Sequence, residues 1–156
     1  MSSEIRDPSF YYENFAIGQS WQTPVYLVGA DEVRDYAEKW DPLPIHIDAK
    51  AAAASPHGGL IASGEHTFAI MRRALWDIGL LIHATRIVKQ DELRFPTPVR
   101  VGDCLTTKAI CIEMRAPRAD SAGRVTLHLS VSNQDGTAVL TCIEIVEVAS
   151  TPGFNA

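Results

Sequence analysis

Downstream of Ala84 the apolar positions of the chain alternate, while upstream of Gly79 they recur at helical spacing. The cleanest alternation lies over Val125 to Ser132. There Val125, Leu127, Leu129 and Val131 share one face, and Thr126, His128, Ser130 and Ser132 share the other. Asn133-Gln134-Asp135-Gly136 reads as a hairpin turn whose glycine can take a positive φ, and Thr137 to Val148 returns as a long strand. A further strand is predicted over Cys104 to Met114, after the Gly102-Asp103 turn. Two short strands are predicted over Ala84 to Lys89 and Glu92 to Phe95, with Pro96 and Pro98 as punctuation. The loop Ala116 to Gly123 is polar and expected to be mobile, and the tail Thr151 to Ala156 is expected to fray.

The first half reads differently. Met1 to Gln19 is a polar lead-in in which Phe10, Tyr11, Tyr12 and Phe15 are expected to anchor the segment on the surface. Trp21 to Val28 has strand composition, and Pro24 suits an edge position. Asp31 is a plausible N-cap for a helix through Lys39, with Val33, Tyr36, Ala37 and Trp40 at helical spacing. Asp48 is placed to cap a short helix over Ala49 to Ala54, which Ser55-Pro56 stops. The main helix is predicted from Gly64 to Ile78, with Ser63 as N-cap and Gly79 just past its end. Thr67, Ile70, Met71, Ala74, Leu75 and Ile78 form one face, and Phe68 and Trp76 widen it. So broad a stripe predicts a helix largely wrapped by other structure. One such helix followed by antiparallel strands is an α+β order.

Composition narrows the class. A chain of 156 residues with 46% apolar and 21% charged residues fits one globular domain over 1–156. The net charge of -5 argues against a nucleic-acid surface. The first fifteen residues carry no apolar h-region and no run long enough to span a bilayer, so a cytoplasmic protein is expected. Cys104, Cys111 and Cys142 fall in strand-like stretches without CxxC spacing and read as small buried hydrophobes.

The chemistry concentrates between Tyr36 and Thr67. Asp41 and His46 flank Pro42 and Pro44, and two prolines so close predict a stiff, non-helical loop. A carboxylate and an imidazole held this way can share one water, one partner taking its proton and the other orienting it or returning a proton. Gly58-Gly59 and Ser63-Gly64 then lead into the main helix, whose first N–H groups would face an oxygen carrying negative charge. On spacing alone, a surface loop and a simple turn explain these residues equally well. His46, His57 and His66 match no compact zinc pattern, so neither a metal nor another cofactor is expected. His66 either lines a pocket or packs, and His83 and His128 read as solvent-facing. Ser63 sits in no G-x-S-x-G elbow and reads as a cap. Arg100, in the PVRVGD turn, is the best candidate for a phosphate contact.

The segment Asp41-Pro42-Leu43-Pro44-Ile45-His46-Ile47-Asp48, followed by Ala51 to Ala54 and Ser63-Gly64, resembles the signature of the MaoC-like dehydratases and (R)-specific enoyl-CoA hydratases, which have the hotdog fold. RFPTPVRVGD and NQDG extend the resemblance over nearly the whole chain. It implies an antiparallel sheet wrapped around a central helix. It also implies a hydro-lyase acting on a coenzyme A or carrier-protein thioester, with Asp41 and His46 as a dyad and Gly64 receiving the thioester oxygen. A homodimer with a shared acyl tunnel is implied too. Leu43, Ser63, His66 and Arg100 are the expected substrate-side residues. Leu43 stands where the hydratases usually have Asn, and it cannot hydrogen-bond. A non-catalytic acyl-CoA-binding protein and a hotdog thioesterase are the alternatives.

Overall fold

The computed structural model describes residues 10–118 and 122–153. The expected mobile loop falls partly on 119–121 and the frayed tail partly on 154–156, outside the described residues, as do the first nine residues. Four α-helices occupy the first half of the chain: α1 (Ala30–Trp40), α2 (Pro44–Ile47), α3 (Ala49–Ala54) and α4 (Gly64–Asp77). Two short strands, β1 (Ser20–Gln22) and β2 (Tyr26–Leu27), precede them. The long strands β3 (Ala84–Arg94), β4 (Cys104–Arg115), β5 (Gly123–Ser132) and β6 (Ala138–Val148) follow. The sheet runs β1-β4-β5-β6-β3, with β2 also paired to β4 and every pairing antiparallel. A sheet packed on one long helix is the hotdog arrangement.

The alternation of β5 produces the core directly. Val125, Leu127, Leu129 and Val131 are all fully buried, and Val139, Leu140, Cys142, Val146 and Val148 continue the floor on β6. Helix α4 lies on that floor through Ile70, Met71 and Leu75. Each such side chain taken out of water contributes roughly 1.5–3 kcal/mol. The helix begins where expected, with the Ser63 hydroxyl accepting from the Glu65 amide at 3.2 Å. It ends at Gly79, whose φ of 81° suits glycine. It is not wrapped all round, however. Arg73, Trp76 and Asp77 are exposed, because the sheet covers one side of α4 only.

Other expectations are corrected. Pro24 divides the predicted Trp21 to Val28 strand in two, since it cannot donate to a ladder. Gly29, not Asp31, caps α1, because Glu32 reaches back to the Gly29 amide at 2.7 Å. The two short strands after Ala84 are one strand with register shifts, and Glu92 at φ 51° absorbs one of them. His83 is not solvent-facing: its ring stacks on Tyr11 at 3.7 Å and its Nε2 is buried. The lead-in does anchor, with Phe15 buried and Phe10 edge-on to Trp21.

One polar group interrupts the floor. Glu144 on β6 is fully buried and accepts from Arg72 Nη1 of α4 at 2.7 Å and from Gln90 Nε2 of β3 at 2.9 Å. The carboxylate therefore ties helix, floor and edge strand together. A buried charge that loses its partner is costly. Arg72→Met is expected to lower unfolding stability by about 3 kcal/mol. Adding Glu144→Gln should recover part of that loss, as read by urea denaturation.

Candidate active site

Asp41 ends α1. Its own amide still bonds the Ala37 carbonyl at 2.9 Å, but its φ of -153° and ψ of 69° turn the chain out of the helix. The Leu43 amide donates back to the Asp41 carbonyl at 2.8 Å and tightens the turn. The prolines do not prevent a helix after that: Pro44 is the first residue of α2. Proline is tolerated there because the first amides of a helix lack intrahelical acceptors anyway. His46 thus lies in a single helical turn, not in the non-helical loop that the prolines suggested.

His46 is buried at 5% exposure. Its Nδ1 lies 2.7 Å from the Ile61 carbonyl oxygen. A carbonyl can only accept, so Nδ1 carries the hydrogen, and in the neutral ring the lone pair is on Nε2. That Nε2 faces Asp41 Oδ2 at 3.5 Å. The same carboxylate oxygen accepts from the Ser63 hydroxyl at 2.6 Å. Ser63 is fully buried and 22 residues away in sequence. It couples the end of α1 to the start of α4. The Ile61 carbonyl is held in turn, because its amide donates to the Ile45 carbonyl at 3.2 Å and the Ala62 amide to the Val99 carbonyl at 2.8 Å.

Asp41, His46, Ser63 and Gly64 therefore converge. The Gly64 amide, first in α4, donates to no acceptor among the described residues. Two acceptors 3.5 Å apart next to a free helix-terminal amide form a site that can hold one water and one polarised oxygen.

The remaining expected residues sit around this centre. Leu43 is half exposed beside Asp41. His66 is buried one half-turn into α4, its ring stacked on Tyr36 at 4.6 Å and its Nδ1 without a partner. Burial lowers its pKa, and Glu32 opposes the shift. Arg100 is exposed. Its amide donates to Asp103 at 2.8 Å, and its Nη1 lies 4.0 Å from where a Cβ on Gly59 would stand. No group of three or more potential metal-ligating side chains is found among the described residues. Two contacts escaped the sequence reading: the Ser63 hydroxyl on Asp41, and the ring of Phe95 against Gly64. Both join residues far apart in the chain.

Residues 14–133 match the family model of the MaoC like domain. The chain belongs to that family. A MaoC-like dehydratase from Rhodospirillum rubrum is similar to this MaoC-like domain at 32% identity and a TM-score of 0.82, over 92% of this chain and 99% of that one. An (R)-hydratase from A. caviae involved in PHA biosynthesis is similar at 26% identity and a TM-score of 0.69, over 87% of this chain and 98% of that one. A UPF0336 protein of Streptomyces griseus is 30% identical over 127 residues, 78% of this chain and 83% of its own.

The depressed pKa of His66 has a consequence for stability. The unfolded chain, with a histidine near 6.5, binds the proton more readily than the folded one. This contribution is complete above that value and is lost as pH falls toward the folded pKa. His66→Phe keeps the stack on Tyr36 and removes the titration. Thermal melts at pH 8 and pH 5.5 should therefore show a smaller acid-induced drop in the variant.

Proposed function

We propose that this MaoC-like domain is a hydro-lyase that adds water to trans-2-enoyl thioesters, or removes it from (R)-3-hydroxyacyl thioesters, carried by coenzyme A or a carrier protein. The observation that carries the reading is the 3.5 Å gap between His46 Nε2 and Asp41 Oδ2. With Nδ1 committed to the Ile61 carbonyl, both facing atoms are acceptors. A water donating one hydrogen to each spans such a gap and presents its oxygen to C3.

In the hydration direction the water oxygen bonds to C3 and the electron pair of the C2=C3 bond moves toward the thioester. Negative charge gathers on the thioester oxygen, where the Gly64 amide and the positive end of α4 stabilise it. The proton that leaves the water enters the dyad, and a proton from the dyad reaches C2. The balance is one water added and no cofactor consumed. Ser63 is a positioning residue, since its hydroxyl fixes the Asp41 carboxylate. His66 lines the same end of α4. Leu43 offers an apolar surface beside the dyad, and the exposed Arg100 is the residue we assign to a phosphate of the carrier group. A cytoplasmic enzyme fits this substrate class.

Asp41→Asn and His46→Ala are each expected to lower kcat on crotonyl-CoA about 100-fold or more, and Ser63→Ala about tenfold. Loss of enoyl-thioester absorbance is the assay. Binding without turnover by the wild type would replace the enzyme with an acyl-CoA-binding protein, and release of free thiol would replace it with a thioesterase.

The working unit we propose is a homodimer. Among the described residues β3 pairs with β6 alone, which leaves its outer edge open, with Ile87 and Leu93 partly exposed along it. Beside it, Trp76, Leu81, Ala84 and Ile87 line an apolar groove of about 450 Å³. The arginines at its rim are already neutralised, Arg72 by Glu144, Arg73 by Asp77 and Arg86 by Glu147. An apolar groove next to an unpaired strand suits a second copy related by a two-fold axis. Light scattering across a dilution series should show a dimer at every concentration that is active. A fully active monomer would exclude it.

A further inference from the structure

Gly64 is a glycine for a reason that its own backbone does not supply. Its φ is not positive, so the helix start tolerates any residue there. What crowds a side chain there is Phe95. A Cβ at position 64 would stand 3.1 Å from the ring's Cζ and 3.2 Å from its Cε1 and Cε2, closer than ordinary van der Waals contact. In a helix the Cα–Cβ bond leans toward the N-terminus. A ring in that direction therefore stands beside the free amides of the first turn, not over the body of α4.

The chain fixes Phe95 in this place at both ends. Arg94, immediately before it, is the last residue of β3 and registers with Thr141 of β6. After it, Pro96 limits the backbone, and the Val99 carbonyl accepts from Ala62 while Arg100 bridges Ile61. Phe95 as a residue is 43% exposed. A side chain so open contributes little to the core, yet it stands against Gly64, whose amide the reaction needs.

We propose that Phe95 is a specificity-determining residue. Its ring walls the space in front of Gly64, admitting acyl thioesters unbranched at C2 and excluding those with a methyl group there. This rests on the function proposed above. A thioester oxygen about 2.9 Å from the Gly64 nitrogen brings C2, two bonds further on, into the space that the ring borders. The dyad borders the same space, because Ser63, next to Gly64, holds Asp41. C2 cannot retreat from the ring without leaving the dyad. A methyl on C2 would then compete with Phe95, as a Cβ on Gly64 would.

The test uses saturated, unreactive thioesters, so that binding is read without catalysis. Butanoyl-CoA and 2-methylbutanoyl-CoA are titrated calorimetrically into the full-length wild type and into Phe95→Leu, Phe95→Ala and Phe95→Tyr. One methyl group at a tight apolar wall is worth roughly 10- to 200-fold. The wild type and Phe95→Tyr should prefer the unbranched ligand by about tenfold or more. Phe95→Leu and Phe95→Ala should nearly abolish the preference by gaining affinity for the branched one. Turnover of crotonyl-CoA against 2-methylcrotonyl-CoA should shift in the same sense. If the wild type turns over crotonyl-CoA but its binding ratio is unmoved in Phe95→Ala, or shows no preference at all, the Phe95 assignment falls and the hydro-lyase reading stands; binding without turnover overturns the hydro-lyase reading. Wild type that binds neither ligand and turns over neither enoyl thioester overturns both.

Discussion

Helix α4 lies with Met71 and Leu75 fully buried on the floor made by β5 and β6, and this burial fixes where its first residue stands. Ser63 and Gly64 occupy that position, and the rest of the site is assembled against them. The Ser63 hydroxyl accepts from the helix's own Glu65 amide while donating to Asp41. One hydroxyl thus caps the helix and orients the carboxylate. If α4 shifted along the sheet, the dyad, the free amide of Gly64 and the ring of Phe95 would lose their common geometry together.

The same dependence accounts for how His46 is held. Its ring is gripped by a backbone carbonyl, not by a second side chain, so its tautomer follows from the path of the chain at Ile61. That path is set by one bond to α2, from the Ile61 amide to Ile45, and one to the segment after β3, from Ala62 to Val99. The His46 ring is therefore held by main-chain hydrogen bonds between three stretches. Such bonds are strong and directional where water is excluded, and His46 is buried.

Away from the site, two polar contacts tie separate elements together. Glu144 is met by Arg72 and Gln90, and Tyr26 donates to Glu32 at 2.5 Å. Arg73 and Arg86, exposed on α4 and β3, are paired with Asp77 and Glu147. This leaves the outer face of that region apolar in effect, in spite of its charges.

Periodicity by itself determined most of the architecture. The alternation of β5, the Gly136 turn at φ 74° and the span of α4 from its Ser63 cap to Gly79 all follow from local sequence. These features depend on residues a few positions apart, which is where pattern is informative. The positions of Asp41 and His46 were likewise legible, through a motif confined to a short stretch. What the tertiary structure alone decided is of longer range. Pro44 starts a helical turn because the Asp41 turn and the Ile61 carbonyl place His46 there, overriding the expectation of a rigid loop. The two strand fragments after Ala84 fuse because β6 supplies a continuous partner for both. Ser63 reaches Asp41 across 22 residues, and Phe95 reaches Gly64 from the far end of β3. No local pattern encodes either contact, because each exists only once the sheet has brought distant segments to the start of one helix.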